Sequence, residues 1–272
     1  MALPAHTSKA FDSDLRNLSQ TLAEMGGLAE RQVADAVKAL TTGDRETARR
    51  LVMADSSIDS MQRTIDERVV ETIARRQPVA VDLREVLGIL RIAHELERIG
   101  DLAKNIGKRV PAIRGEDLTR SSMLGVRSMA LDISRQLREV LDSFARRDPE
   151  MAVDVWIRDA DIDRLCTICS RELLACMAED AGAVTFGIHL LFCTKNLERI
   201  GDHATNIAEA VYYMVKGETL SGERPKADLT SMATGMTVAR SVSAVGACCA
   251  YSPPEDRFHI AGARSPFRIY SN

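Results

Sequence analysis

The sequence predicts an all-α fold: two tandem homologous three-helix bundles, six long helices in all, followed by a C-terminal tail. Three observations predict it. The string Glu97 to Ile106 returns at 198–207, differing only where Leu102 becomes His203 and Lys104 becomes Thr205. Self-similarity at a fixed offset marks a duplicated structural unit. Apolar residues recur four and three apart along both copies, as Ile92, Leu96, Ile99, Ala103, Ile106, Val110 and as Cys193, Leu197, Ile200, Ala204, Ile207, Val211. That period is the buried stripe of a helix packed at a shallow angle in a bundle. No stretch of useful length alternates apolar and polar residues, so no strand is expected.

Each element follows from local chemistry. Residues 8–42 carry the first helical period, Gly43 breaks it, and Asp44 can cap the next helix over 45–76. Gln77-Pro78-Val79-Ala80 forms the turn, because Pro cannot continue a helix. A third helix spans 81–110 and ends at Pro111. The pattern restarts at 117–146, breaks at Arg147-Asp148-Pro149, and continues over 150–179. Asp180-Ala181-Gly182 turns the chain into a last helix over 183–216, closed by Gly217. The expected domains are a first bundle over 1–111, a second over 112–218, and a divergent disordered tail over 219–272. The tail gathers Ser, Gly, Pro and Arg without a sustained period, which also fits non-native sequence such as a shifted reading frame. Gly100 and Gly201 sit inside helices despite a cost of about 1 kcal/mol against Ala, so a close helix approach is expected there. For Gly26-Gly27 a packing role is expected.

Composition limits the function classes. The 272 residues are 45% apolar and 28% charged, with net charge −3, so no global basic field draws nucleic acid. No window approaches a membrane span, and the first residues lack the regions of a secretory signal. A soluble cytoplasmic protein is expected, touching membranes only through partners. Cys166 and Cys169 form a CxxC with Cys176 and Cys193 beyond, but no second CxxC, paired His or preceding strand accompanies them. They read as small helix residues in the interior. No nucleophile elbow, P-loop or dinucleotide fingerprint is present.

The chemistry-bearing pattern is acidic. Asp55 and Asp59 stand four apart on the second helix, as do Glu97 and Asp101 on the third. Asp159 with Asp163 and Glu198 with Asp202 repeat this in the second half. Asp59 lies 20 residues before Val79, while Glu97 and Asp101 lie 18 and 22 after it. Antiparallel helices therefore bring the carboxylates of a repeat to one height, ~30 Å from the turn. Like charges four apart repel by ~0.2–0.5 kcal/mol per pair. Bridging metal ions would offset this, and all-oxygen ligands favour hard cations, Mg, Mn, Ca or iron, with Zn also considered. Salt bridging by Arg63, Arg98, Lys104 or Arg199 on solvated faces is the alternative. His94 and His203 flank the motifs, but three residues before them stand Arg91 and Ile200. The Glu-x-x-His pair of di-iron enzymes is therefore missing.

With these residues in view the chain resembles the PhoU family, accessory proteins of the phosphate-specific transport system. The resemblance rests on Met25 to Gln32, Ile73 to Pro78, both Glu-Arg-Ile-Gly-Asp strings, Asp159 to Asp163, and Tyr212 to Gly217. It covers roughly 10–230. It implies two three-helix bundles and carboxylate motifs that hold metal clusters in some members, here Asp55, Asp59, Glu97, Asp101, Asp159, Asp163, Glu198 and Asp202. It implies a non-enzymatic negative regulator of the phosphate-starvation response, a homodimer, linking the ATPase subunit of a phosphate ABC transporter to a sensor histidine kinase and restraining uptake. The rival expectation is a metal-binding carboxylate bundle with an enzymatic or purely structural role.

Overall fold

The computed structural model describes residues 9–53, 56–113 and 122–220. Among them every regular element is a helix and there is no strand. Helix α1 spans Lys9–Thr42, α2 Arg45–Met53, α3 Ser56–Arg76, α4 Val81–Gly107, α5 Ser122–Arg146, α6 Pro149–Glu179 and α7 Val184–Lys216. The second expected helix is thus seen as α2 and α3, with residues 54 and 55 between them outside the described residues. The expected start of the fourth helix at 117 and the tail from 221 onward also lie outside them.

The ends form as their sequences dictate. Asp44 accepts from the backbone N–H of Glu46 and of Thr47, both at 3.0 Å, and so opens α2. Asp148 does the same for α6, accepting from Met151 N–H at 3.0 Å, with Pro149 in the first turn. Gly217 closes α7 with φ +80, a left-handed cap that a β-carbon would strain. One boundary differs from expectation. The third long helix stops at Gly107 rather than 110, and Pro111 lies inside a 3-10 turn, Val110–Ala112. Pro has no N–H for the carbonyl four residues back and its ring crowds it, so the last turn tightens before Pro arrives.

Both seams read from the sequence are interior: every residue from Ile92 to Val110 and from Cys193 to Val211 named above is buried. One continuous hydrophobic cluster runs through α1 to α7. Within it α4 packs along α7, α1 along α4, α3 and α5, and α6 along α5 and α7. The α4–α7 pair is antiparallel. A β-carbon on Gly88 would meet Met214, Arg84 lies against Gly217, and Arg109 stacks 4.0 Å over the Phe192 ring. The α1–α5 pair is antiparallel too, with Gly26 against Leu141, Arg138 Nε donating to Glu30 at 2.7 Å, and Arg127 Nη2 to the Thr41 carbonyl at 2.8 Å. In the first pair these contacts put Gly100 and Gly201 on one level. In the second they put Gln32 and Gln136 on one level. The duplication is therefore also a spatial two-fold, with its axis passing the middle of both helix pairs.

Candidate functional site

That mid-level is where the acidic motifs sit. In the second repeat Ile162 of α6 packs on Gly201 of α7, with methyl carbons 3.4 Å from where a β-carbon would stand. This level contact interleaves Asp159 and Asp163 on α6 with Glu198 and Asp202 on α7. Asp159, Asp163 and Glu198 are buried, and Asp202 is half-buried. Thr205 Oγ1 donates to Asp159 Oδ1 at 3.0 Å, and Lys195 Nζ donates to Glu198 Oε1 at 3.0 Å. Gln136 reaches in from α5, and its Nε2 donates to Thr205 Oγ1 at 3.3 Å. Its Oε1 lies 3.2 Å from the β-carbon position of Gly201, buried and without a hydrogen-bond donor.

The first repeat has the same plan with different neighbours. Ile58 of α3 packs on Gly100 of α4, and Gln32 of α1 places its Oε1 3.0 Å from the missing β-carbon. That oxygen, too, is buried without a donor. Asp59, Glu97 and Asp101 are only half-buried. Lys104, which stands where the second repeat has Thr205, donates from Nζ to Asp101 Oδ1 at 2.7 Å. Arg98 pairs with Glu97 at 3.4 Å. Of the eight carboxylates singled out from the sequence, seven are therefore placed at the mid-level in two groups, and Asp55 lies outside the described residues.

Three neighbours were not read from the sequence as part of this region, Gln32, Gln136 and Lys195, and Thr205 was read only as a departure within the repeated string. One signal could have found the glutamines. Gln32 and Gln136 stand 104 residues apart, the same offset that relates Asp59 to Asp163. His203 was expected beside the acidic string, and it reaches the other repeat: its Nδ1 lies 2.6 Å from Glu95 Oε2 of α4. Asn206 Nδ2 donates to the same oxygen at 3.1 Å. Burial alone would raise the Glu95 carboxyl, but these two hydrogen bonds and the charge of His203 and His94 outweigh it and hold it below the usual value. His94 is exposed and lies 3.6 Å from Asp66.

The donor set fits a hard cation chemically. Every candidate ligand is an oxygen, three carboxylates of the second repeat are buried, and a buried amide oxygen beside them lacks a donor. As the side chains stand, no three Asp, Glu, His or Cys among the described residues are gathered for a metal ion. Lys195 and Lys104 supply the local positive charge instead. Among the described residues Cys166, Cys169 and Cys193 are buried and in no disulfide. Burial, helped by Glu172, pushes Cys169 up to about 11, and burial pushes Cys193 up to about 12 against the charge of Arg109. Among the described residues no helix is long and apolar enough to cross a membrane.

Comparison with known proteins gives this arrangement a context. The PhoU domain family matches twice, over residues 22–110 and 126–211. A phosphate-specific transport system accessory protein PhoU homolog from Rhizobium meliloti (strain 1021) is 49% identical over 233 residues, covering 86% of this chain and 98% of its own length. A protein of the same description from Caulobacter vibrioides is 41% identical over 226 residues, covering 83% and 98%. The crystal structure of PhoU from Pseudomonas aeruginosa superposes with a TM-score of 0.74 at 39% identity, covering 76% of this chain and all of that one, 100%. The phosphate transport system regulatory protein PhoU from Streptococcus pneumoniae superposes with a TM-score of 0.71 at 26% identity, covering 78% and 99%.

Proposed function

The chain belongs to the PhoU family, and from that premise we propose that it is an accessory regulator of a phosphate-specific transport system. The observation that carries the reading is the double PhoU domain match together with 49% identity across 98% of a relative described as an accessory protein of that system. The protein acts as a non-catalytic helical adaptor in the cytoplasm. It docks on the ATPase subunit of the phosphate transporter and on a sensor histidine kinase, and in abundant phosphate it holds the kinase silent and restrains uptake. Long helical faces suit such docking, because a helix surface can be laid along a groove or another helix. The residues also support a non-enzymatic role. Its histidines lack the Glu-x-x-His spacing of oxygen-activating bundles, and the buried thiols Cys169 and Cys193 are far from thiolate at neutral pH.

The carboxylate groups are metal sites in this reading. Asp159, Asp163, Glu198 and Asp202 would hold a hard cation in the second repeat, with Gln136 Oε1 beside it. Asp55, Asp59, Glu97 and Asp101 would do so in the first, beside Gln32 Oε1. The ion supplies charge neutralisation, letting facing acidic helices pack without mutual repulsion. Lys195 and Lys104 must release their carboxylates when it binds.

The regulatory role is tested by deleting the gene and growing the strain in excess phosphate with a phosphate-starvation reporter. The expected result is high reporter signal, silenced again when this chain is restored. A silent reporter in the deletion strain overturns the reading.

A further inference from the structure

Between α4, α6 and α7 lies a groove of about 520 Å³ that the carboxylate groups of the mid-level do not use. Asn206, Glu209 and Tyr213 line it from α7, spaced three and four apart and so on one face. Trp156 faces them from α6, half-buried, and its Nε1 donates to Glu209 Oε1 at 3.0 Å, which fixes the indole in the wall. On the α4 side Glu95 meets Asn206, so in this antiparallel pair Arg91, one turn away, is level with Ala210. Ala210 is buried, and its small side chain leaves the floor open. The first repeat does not keep this arrangement. At the offsets that relate the repeats, 104 for α6 and 101 for α7, Val52 replaces Trp156, Lys108 replaces Glu209 and Ala112 replaces Tyr213. Arg109 stands where the second repeat has Ala210, and it stacks 4.0 Å over Phe192, the counterpart of Arg91. Packing of the bundle therefore does not require the groove, since the sister repeat fills the same place with its own side chains.

We propose that this groove is a binding site for a guanine mononucleotide. Three groups of the lining set that chemistry. The Trp156 indole offers a flat face on which a planar base stacks. Glu209 keeps acceptor capacity beyond its bond to the indole, because an ionised carboxylate has about four lone-pair sites. Guanine presents two adjacent donors on its pairing edge, a ring N–H and an amino group, and one carboxylate accepts both side by side. Adenine presents one donor and one acceptor there, and the carboxylate repels the acceptor. Arg91 is exposed on the opposite wall, and its planar fork suits a phosphate. An organic cation would satisfy the aromatic wall and Glu209, but Arg91 would repel it. A bare anion would satisfy Arg91 alone. Glu95 is already answered by His203 and Asn206, so Glu209 is the acid that meets the base. One guanidinium beside two acids fits a single phosphate rather than a longer polyanion, in keeping with the net charge of −3. The groove also has the size of a small-molecule cleft, a class that spans about 300–1,000 Å³. The site is read from the groove alone and does not rest on the phosphate-regulator reading.

The test uses the full chain and its one tryptophan, Trp156, which reports a stacked base directly. Guanosine monophosphate (GMP) is expected to quench Trp156 fluorescence saturably, with a matching heat in titration calorimetry. Adenosine monophosphate (AMP) is expected to bind about tenfold more weakly or worse, because the hydrogen bonds to Glu209 are lost. Guanosine without its phosphate is expected to bind more weakly than GMP. Two variants at exposed positions, each checked for folding by circular dichroism, separate the contacts. Glu209→Gln is expected to close the gap between GMP and AMP, since an amide can serve either base. Arg91→Gln is expected to bring GMP down to the affinity of guanosine and to leave guanosine unchanged. Absence of both quenching and heat with GMP overturns the proposal. So does equal binding of GMP and AMP to the unaltered chain, or GMP binding that neither variant alters.

Discussion

His203 of the second repeat stands 2.6 Å from Glu95 of the first, through Nδ1 and Oε2. The pair ties the bundles together across the α4–α7 seam, and Asn206 holds the same carboxylate. The Glu95 carboxyl is held below its usual value, so its contribution to stability is present above the unfolded value near 4.5 and fades as pH falls through the lower folded value. Glu95→Gln is expected to cost about 1 kcal/mol at pH 7, the worth of a charged hydrogen bond discounted for partial exposure. Urea melts at several pH values check this. The difference should shrink below about pH 4, and an equal difference at pH 3 and pH 7 would reject the account.

Gly100 and Gly201 make a matched comparison. A β-carbon on Gly100 would stand 3.0 Å from both Gln32 Oε1 and Ile58 Cδ1, while on Gly201 the nearest atoms are at 3.2 and 3.4 Å. Replacing either by Ala gains about 1 kcal/mol of helix propensity and incurs an overpacking cost of about 1–3 kcal/mol. Gly100→Ala is therefore expected to lower the melting temperature, and Gly201→Ala to leave it nearly unchanged. The reverse order would show that the helices do not approach as described.

Metal binding separates the repeats. Glu97→Ala with Asp101→Ala is expected to remove metal from the first repeat only, and Asp163→Ala with Glu198→Ala from the second only. Elemental analysis after dialysis against Mg, Mn or iron reads the stoichiometry. Metal content unchanged in both double variants rejects these residues as ligands. In metal-free protein the first double variant should also melt higher if the acids merely repel.

The thiols offer a simple check on the core. With Cys169 up to about 11 and Cys193 up to about 12, neither is a thiolate at pH 8. Both are expected to resist iodoacetamide in the folded protein and to react promptly in denaturant. Mass mapping of the labelled peptides decides it, and rapid native labelling of Cys193 would mean that α7 is not packed as described.

How much could be read in advance depends on range along the chain. The seams of α4 and α7, the Asp44 cap and the Gly217 stop all express rules acting over a few residues, and the structure follows them. Pro111 shows the limit of that reading. Its effect reaches back a full turn, so α4 closes at Gly107. The acidic pairs were visible because i, i+4 spacing is itself helical. What closes on them was not: Gln136 reaches in from α5, and Thr205 and Lys195 donate to Asp159 and Glu198 from α7.

By itself, then, the sequence determined the duplication, the all-α class, the buried seams and the two acidic strings. Each is written in spacings of three, four or about a hundred residues. Only the tertiary structure decided that Gln32 and Gln136 share a level and that Glu95 answers His203. Those relations depend on how antiparallel helices align across the two-fold, and that alignment is set by side-chain packing between segments far apart in the chain.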